Sequence, residues 1–373
     1  MLTELSVSQP NVGVDARSVT VSVTFPDGSA RTARMSSTYS LETDGTPWQA
    51  ATLPVAMARH ANLVIAGGID EVALENAGRV QQAFHGWHPD LLSQTVVYAD
   101  ELPSGQLASG VGCFFSGGVD SFYSALTHAD EVTHLIFVTG FDIEVTNKQL
   151  AFEALRGAHE AARAMGKELI AVTTNLRDLG DDVLDWGVHY HGAALAAVGL
   201  ALAETLGRVI IPSSYHREDL YPWGSHPDLD RWWSSSRVRF EHDAVDVTRP
   251  DKVREIAKHQ VSLDHLRVCW ENKNNAFNCG RCEKCIRTMI NLRSVDALRR
   301  CKTLPTEVDA AAVGRLRLTH GSRLFAEENL RELEQLENRD YALEAALRRA
   351  VETMPHQSRS ASLKRRIKAL LRP

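Results

Sequence analysis

The chain has 373 residues, a formal net charge of −6 and 24% charged residues, the balance of a soluble globular protein long enough for one large or two to three modest domains. No run reaches the roughly 18 apolar residues of a membrane span, and the N-terminus lacks the basic-then-apolar layout of a signal peptide, so a cytoplasmic protein without disulfides is expected. The acidic balance argues against a dedicated nucleic-acid binder, whose domain would be basic.

Residues 1–108 carry no chemical motif and read as an N-terminal α/β or α+β accessory domain. Residues 18–25 alternate between polar and apolar side chains, Pro26, Asp27 and Gly28 turn the chain, and residues 31–35 return, which describes a hairpin. Residues 63–66 and 95–98 read as short strands flanking a helical stretch near residues 71–84. Trp48, Trp87 and His88 stand out, but single aromatic side chains of this kind are mostly core. The Gly- and Ser-rich segment 103–110 reads as a linker.

Residues 111–126 are the stretch around which the rest of the chain is organised. An apolar run ending at Phe115 reads as a buried strand. Ser116, Gly117 and Gly118 then form a small-residue turn, and Asp120 or Ser121 opens an apolar helix. Glycines at such a junction let the backbone approach a ligand and take positive φ. The unpaired first N–H groups of the helix, joined by the serine hydroxyls, can bind an anion. No Gly-Lys-[Ser/Thr] closes the loop, so it is not a Walker A loop; the plainer alternative is a Gly-rich turn with Asp120 as helix cap. The run Ser116-Gly117-Gly118-Val119-Asp120-Ser121 resembles the signature of the PP-loop ATP pyrophosphatases. That resemblance implies cleavage of ATP between its α and β phosphates, with the AMP passing to a substrate oxygen and then displaced by a nucleophile. It also implies that the N–H groups of Gly117, Gly118 and Val119 and the hydroxyls of Ser116 and Ser121 hold the pyrophosphate end. Asp120 would cap the helix and help hold Mg²⁺.

Strand and helix patterns alternate from here. Residues 134–138, 168–172, 209–212 and 240–246 read as strands, and residues 147–165 and 191–206 as helices, which predicts a doubly wound parallel sheet. In that architecture ligands sit at the carboxyl ends of the strands, where strand order reverses. The aromatic- and His-rich stretches 182–192 and 221–233 read either as loops over a substrate pocket or as a lid without chemistry. His189 and His191 would share a face on a strand, and no cysteines near them suggest a metal. Thr248 can cap a helix with Pro250 in its first turn. PP-loop relatives often carry a basic residue at such a helix, so Lys252 and Arg249 are candidates for neutralising the departing pyrophosphate, against the alternative of a solvated helix face.

Cys269, Cys279, Cys282 and Cys285 form the second motif. Three cysteines spaced by two residues, a fourth upstream and Gly280 for a tight turn match tetrahedral sulfur coordination. Structural zinc, an iron–sulfur cluster and redox-active or sulfur-carrying cysteines are the readings open here; Cys113 and Cys301 read as core. Together with residues 116–121, the Cys269-Trp270 pair and the Cys-Gly-x-Cys-x-x-Cys run resemble 7-cyano-7-deazaguanine synthase and its relatives over about residues 111–290. That family activates a carboxylate with ATP, takes ammonia to an amide and dehydrates it, with zinc structural. Arg287 does not fall on the family's usual arginine position and is not carried over. Residues 140–147 and 189–192 also depart from the family's substrate elements. Asp142 and His189, with Glu144, Tyr190 and His191, offer a set suited to polyhydroxylated or amine-bearing substrates, so 7-carboxy-7-deazaguanine is not the expected substrate.

Residues 303–373 read as a helical C-terminal region, with Glu, Leu and Arg at helical spacing over residues 327–347. Residues 358–373 are basic and would contact RNA, an acidic partner or anionic lipid, or form an amphipathic terminus without a partner. The expectation is a cytoplasmic, Mg-ATP-dependent adenylating ligase with a PP-loop domain at 109–302. It would act on a carboxylate or amide of a small molecule or modified group through ammonia or an amine, with a homodimer left open. Sulfur transfer to tRNA or a metabolite, and a non-catalytic nucleotide-sensing module, are the rival readings.

Overall fold

The structure, a computed structural model, describes residues 3–353, so the basic stretch 358–373 lies outside the described residues. The first part of the chain holds strands β1 (Thr3–Val7), β2 (Asn11–Val12), β3 (Ser18–Thr24) and β4 (Ala30–Ser37). Helix α1 (Thr46–Ala58), strands β5 (Ala61–Ile65) and β6 (Ile69–Asp70), helix α2 (Glu71–Trp87) and strands β7 (Val97–Tyr98) and β8 (Glu101–Leu102) come next. The expected hairpin is β3–β4, with Gly28 at φ 83° in its turn and Val19, Val21 and Val23 of β3 facing the core.

Strands and helices then alternate: β9 (Gly110–Phe114), α3 (Val119–Thr127), β10 (His134–Thr139), α4 (Lys148–Ala164), β11 (Glu168–Thr174), α5 (Arg177–Gly180) and α6 (His191–Ala201). They continue as β12 (Leu206–Pro212), α7 (Pro227–Asp230), β13 (Arg239–Asp243) and α8 (Arg249–Ile256). The remainder is helical: α9 (Gln260–His265), α10 (Glu283–Ser294), α11 (Ala310–Val313), α12 (His320–Glu334) and α13 (Tyr341–Glu352). The helical pattern over residues 327–347 is thus divided between α12 and α13, because Asp340 caps a new helix by accepting from Leu343 N at 3.0 Å.

The protein is α/β with one large, mostly parallel sheet. Its order is β13-β12-β9-β10-β11-β4-β3-β1-β5-β7, with β2 beside β3. The first five of these are parallel to one another, and β4 joins antiparallel to β11 through pairs such as Thr174 with Met35. Helices cover both faces. One core unites β1, β3, β4, α1 and α2 with α6; the other packs α3, α4, α8, α9 and α10 against the parallel strands. Sheet and core both run across the division drawn near residue 108. The decisive feature for a site is strand order. β9 comes first in the chain among the parallel strands, with β10 and β11 on one side and β12 and β13 on the other, so strand order reverses between the carboxyl ends of β9 and β12, where folds of this kind form a ligand crevice. Among the described residues, no helix is long and apolar enough to cross a membrane.

Candidate functional site

The loop from β9 to α3 lies at that crevice. Gly117 takes φ 77°, the left-handed backbone that favours glycine, and a Cβ there would lie at ordinary contact distance, 3.4 Å, from Arg267 Cβ. Gly118 is the N-cap residue of α3, with φ −78° and ψ 172°. Ser116 is exposed, and Ser121 is buried with its hydroxyl donating to Gly118 O at 3.0 Å. No side chain caps α3, and the helix begins at Val119, so Asp120 does not have the capping role expected of it. The first N–H groups of the helix face the crevice end of the fold without a side-chain acceptor, the arrangement that favours an anion.

Asp120 instead turns to two cations on α8. Arg249 Nη1 stands 3.3 Å from Asp120 Oδ2 and Lys252 Nζ 3.5 Å from Oδ1. Thr248 caps α8, as its sequence predicts, by accepting from Asp251 N at 3.3 Å, and this first turn presents Arg249 and Lys252 inward. Lys252 is only 2% exposed and donates to Ser213 O at 2.6 Å, which ties α8 to the carboxyl end of β12. Arg249 also donates to Thr288 Oγ1 of α10 at 3.1 Å. Burial pushes the Asp120 carboxyl up, but Lys252, Arg249, Arg287 and Lys284 together outweigh it and hold the group below the usual carboxylate range. Burial and the neighbouring Arg287 pull Arg249 down to about 10, against the opposing effect of Asp120. The crevice thus concentrates positive charge around one carboxylate.

Arg287, set aside in the sequence because it misses the family's usual arginine position, joins this group. It is buried on α10, its Nε lies 3.4 Å from Glu283 Oε1 in an ion pair without hydrogen-bond geometry, and its guanidinium stacks 3.9 Å above the Phe325 ring of α12. Phe325 is also stacked on Tyr215, at 5.5 Å between ring centres and 24° between planes. Nothing local in sequence joins residues 215, 249, 287 and 325; only the packing of α12 on α10 and α8 does so.

The four cysteines come together as their spacing predicts. The sulfurs of Cys269, Cys279, Cys282 and Cys285 all lie within 4.8 Å of one another, with pairs at 3.9 Å. A tetrahedral ion with metal–sulfur bonds of about 2.3 Å requires sulfurs about 3.8 Å apart, so the set fits a metal such as zinc. Cys282 N and Cys285 N point at Cys279 Sγ and Cys282 Sγ, at 3.2 and 3.5 Å, as in a thiolate knuckle. Gly280 makes the turn with φ 67°, where a Cβ would meet Pro305 Cγ at 2.7 Å. The knuckle reaches the loop. Asn278 holds Val268 N and Cys269 N on its Oδ1, and Arg267 N donates to Gly117 O at 2.7 Å. Cys113 and Cys301 are buried.

Asp142 and His189 stand apart from the Asp120 group. Asp142 is exposed after β10, and its carbonyl accepts from Asn272 Nδ2 at 2.7 Å; Asn272 Oδ1 in turn accepts from Arg267. His189 lies in a π-helical turn, Trp186–Tyr190, and not on a strand, so the condition under which it would share a face with His191 is not met. Its Nδ1 accepts from Asp185 N at 3.0 Å and its ring meets His88 edge-on at 4.6 Å. Burial, with His88 adding, lowers it to about 4. The two aromatic stretches do meet: Gly224 N donates to Gly187 O at 3.0 Å, and Trp223 contacts Tyr215, Tyr221 and His191. No protein-family model matches this chain, and no curated protein or solved structure matches it significantly.

Proposed function

We propose that the chain is an ATP-dependent adenylating enzyme of the PP-loop kind, which splits ATP into AMP and pyrophosphate to activate a carboxylate or amide for attack by ammonia or an amine. The observation that carries the reading is the convergence of residues 116–121 with Lys252 and Arg249 at the point where strand order reverses. The N–H groups of Gly117, Gly118 and Val119 with the hydroxyls of Ser116 and Ser121 would receive the pyrophosphate end. Lys252, Arg249 and Arg287 supply fixed positive charge where the departing phosphates gain negative charge, and Asp120 is the carboxylate available to Mg²⁺. Catalysis of this sort is positioning and charge stabilisation.

Sulfur transfer is the less favoured chemistry, because the four cysteines that would carry a persulfide are gathered on one another and the other two are buried. The test is a screen for pyrophosphate release over carboxylate classes, with ammonium and amines supplied. Release that falls at least about 100-fold in Asp120→Asn and about tenfold in Ser116→Ala is expected. Absence of release with every class, or undiminished release in Asp120→Asn, overturns the reading.

A further inference from the structure

A cavity of about 100 Å³ opens beside Arg249, between the segment after β12, the start of α8 and helix α12. Tyr215 and His216 from the stretch after β12, Arg249 from α8, and Phe325, Glu328 and Arg331 from α12 line it. Arg249 therefore belongs to two places at once, holding Asp120 through Nη1 and forming one wall of the cavity. The cavity borders the crevice and has its own acidic group.

Glu328 is that group. Among the described residues its carboxylate makes no hydrogen bond or ion pair, and it is half-buried. Arg249 and Arg331 favour its charged form without pairing with it, and a small cation within hydrogen-bond reach would relieve the remaining cost of withdrawing the carboxylate from water. The stacked Phe325 and Tyr215 rings wall the same cavity and narrow it to the size of a small ligand. We propose that this cavity receives the attacking ammonia or primary amine as its ammonium ion, and that Glu328 binds it and takes its proton.

The proposal rests on the adenylating reading. One ammonium proton passes to the Glu328 carboxylate. The nitrogen then forms its bond to the adenylated carbonyl carbon as the bond from that carbon to the phosphate oxygen breaks. AMP leaves with the electron pair, and the second surplus proton leaves the nitrogen for solvent. Burial supports the role by raising Glu328 to about 7 despite Arg249 and Arg331, with Asp219 and Glu332 adding to the rise. A base near the working pH suits proton abstraction from an ammonium group.

The test uses the full chain and two probes, ammonium chloride and methylammonium chloride, against sodium chloride at matched ionic strength. Melting temperature is measured at pH 8.5 and pH 5.5 (solution conditions of about 1.5 units either side of neutrality). A rise of about 2 °C or more over sodium is expected for wild type at the higher pH. It should vanish at the lower pH and in Glu328→Gln at both. His216, Glu327 and Asp219 also line this cavity beside Arg249 and Arg331, and Glu328→Gln separates their contribution from that of Glu328. A response to ammonium alone assigns ammonia, and a response to methylammonium assigns a primary amine. No wild-type response, or an equal one in Glu328→Gln with its melting temperature in sodium intact, overturns the proposal. Mg-ATP binding, measured on the same samples with Ser116→Ala as control, keeps the two readings distinguishable. Binding without an ammonium response removes this inference alone, and loss of both removes the adenylating reading with it.

Discussion

Asp120 shows why a motif residue has to be weighed by what it touches. Sequence presents it as a ligand at a helix start, whereas the structure places it between Lys252, 2% exposed, and Arg249, 7% exposed. Asp120→Ala leaves two buried cations without their counter-charge, a class of change that costs about 3–5 kcal/mol. We expect Asp120→Ala to unfold at markedly lower denaturant than wild type and Ser116→Ala, whose side chain is exposed, to unfold with it. Equal midpoints for Asp120→Ala and wild type would show that the cations do not depend on Asp120. Glu42 offers a second residue-scale test. It is 8% exposed and paired with Arg237 at 2.7 Å, yet burial raises it to about 7, with Arg237 opposing and Asp44 and Glu204 adding. Because its folded value lies above the unfolded 4.5, its contribution to stability is fully present below about pH 4.5 and is lost as pH rises through about 7. Glu42→Gln should therefore match wild type near pH 4.5 and gain on it by pH 8, by up to about 3 kcal/mol. Denaturant titrations at the two pH values check the sign, and a Gln variant that loses ground at pH 8 refutes it.

At the scale of elements, the cysteine knuckle and the loop after β9 act as one assembly. The chain runs from Cys269 two residues back to Arg267, whose N–H holds Gly117 O at 2.7 Å, so ordering the cysteines also orders the loop. Since the binding energy of a structural metal is folding energy, one zinc per chain is expected by elemental analysis. Cys282→Ser should lose it and, on the adenylating reading proposed above, most of the affinity for Mg-ATP measured by equilibrium dialysis. Full ATP affinity in metal-free protein would uncouple the two elements. Both were readable from sequence because each is local: two-residue cysteine spacing, and a small-residue turn between a strand and a helix. α1 was not, since Pro54 lies inside it and nearly every side chain is buried, which leaves no polar face to reveal a helical period. Arg287, Phe325 and Glu328 were equally illegible as a group. They lie on two helices whose docking on α8 is set by packing, and no spacing in the chain announces it.

For the whole molecule, the seam between the N-terminal and parallel parts has the character of a domain interior. β4 pairs with β11, and α1 packs on α6, an Ala-rich helix with nine of its residues buried. Polar groups cross as well. Tyr190 Oη donates to Ala51 O at 2.9 Å, Asn76 Nδ2 to Ser234 O at 2.9 Å, and Ser236 N to Asp70 Oδ1 at 2.9 Å. Removing residues 1–108 would turn β11 into an open edge and strip the cover from α6, the two conditions that invite aggregation. A protein beginning at residue 109 is accordingly expected to be insoluble or to bind hydrophobic dyes, while the full chain unfolds in denaturant with circular dichroism and tryptophan fluorescence changing together. Trp48, Trp87, Trp186, Trp223, Trp232, Trp233 and Trp270 are spread over both parts, so fluorescence would expose a separate N-terminal transition if one existed. Two resolved transitions, together with a soluble and cooperatively folding 109–373 fragment, would mean that the continuous sheet is an interface between domains and that the crevice is built without the N-terminal part.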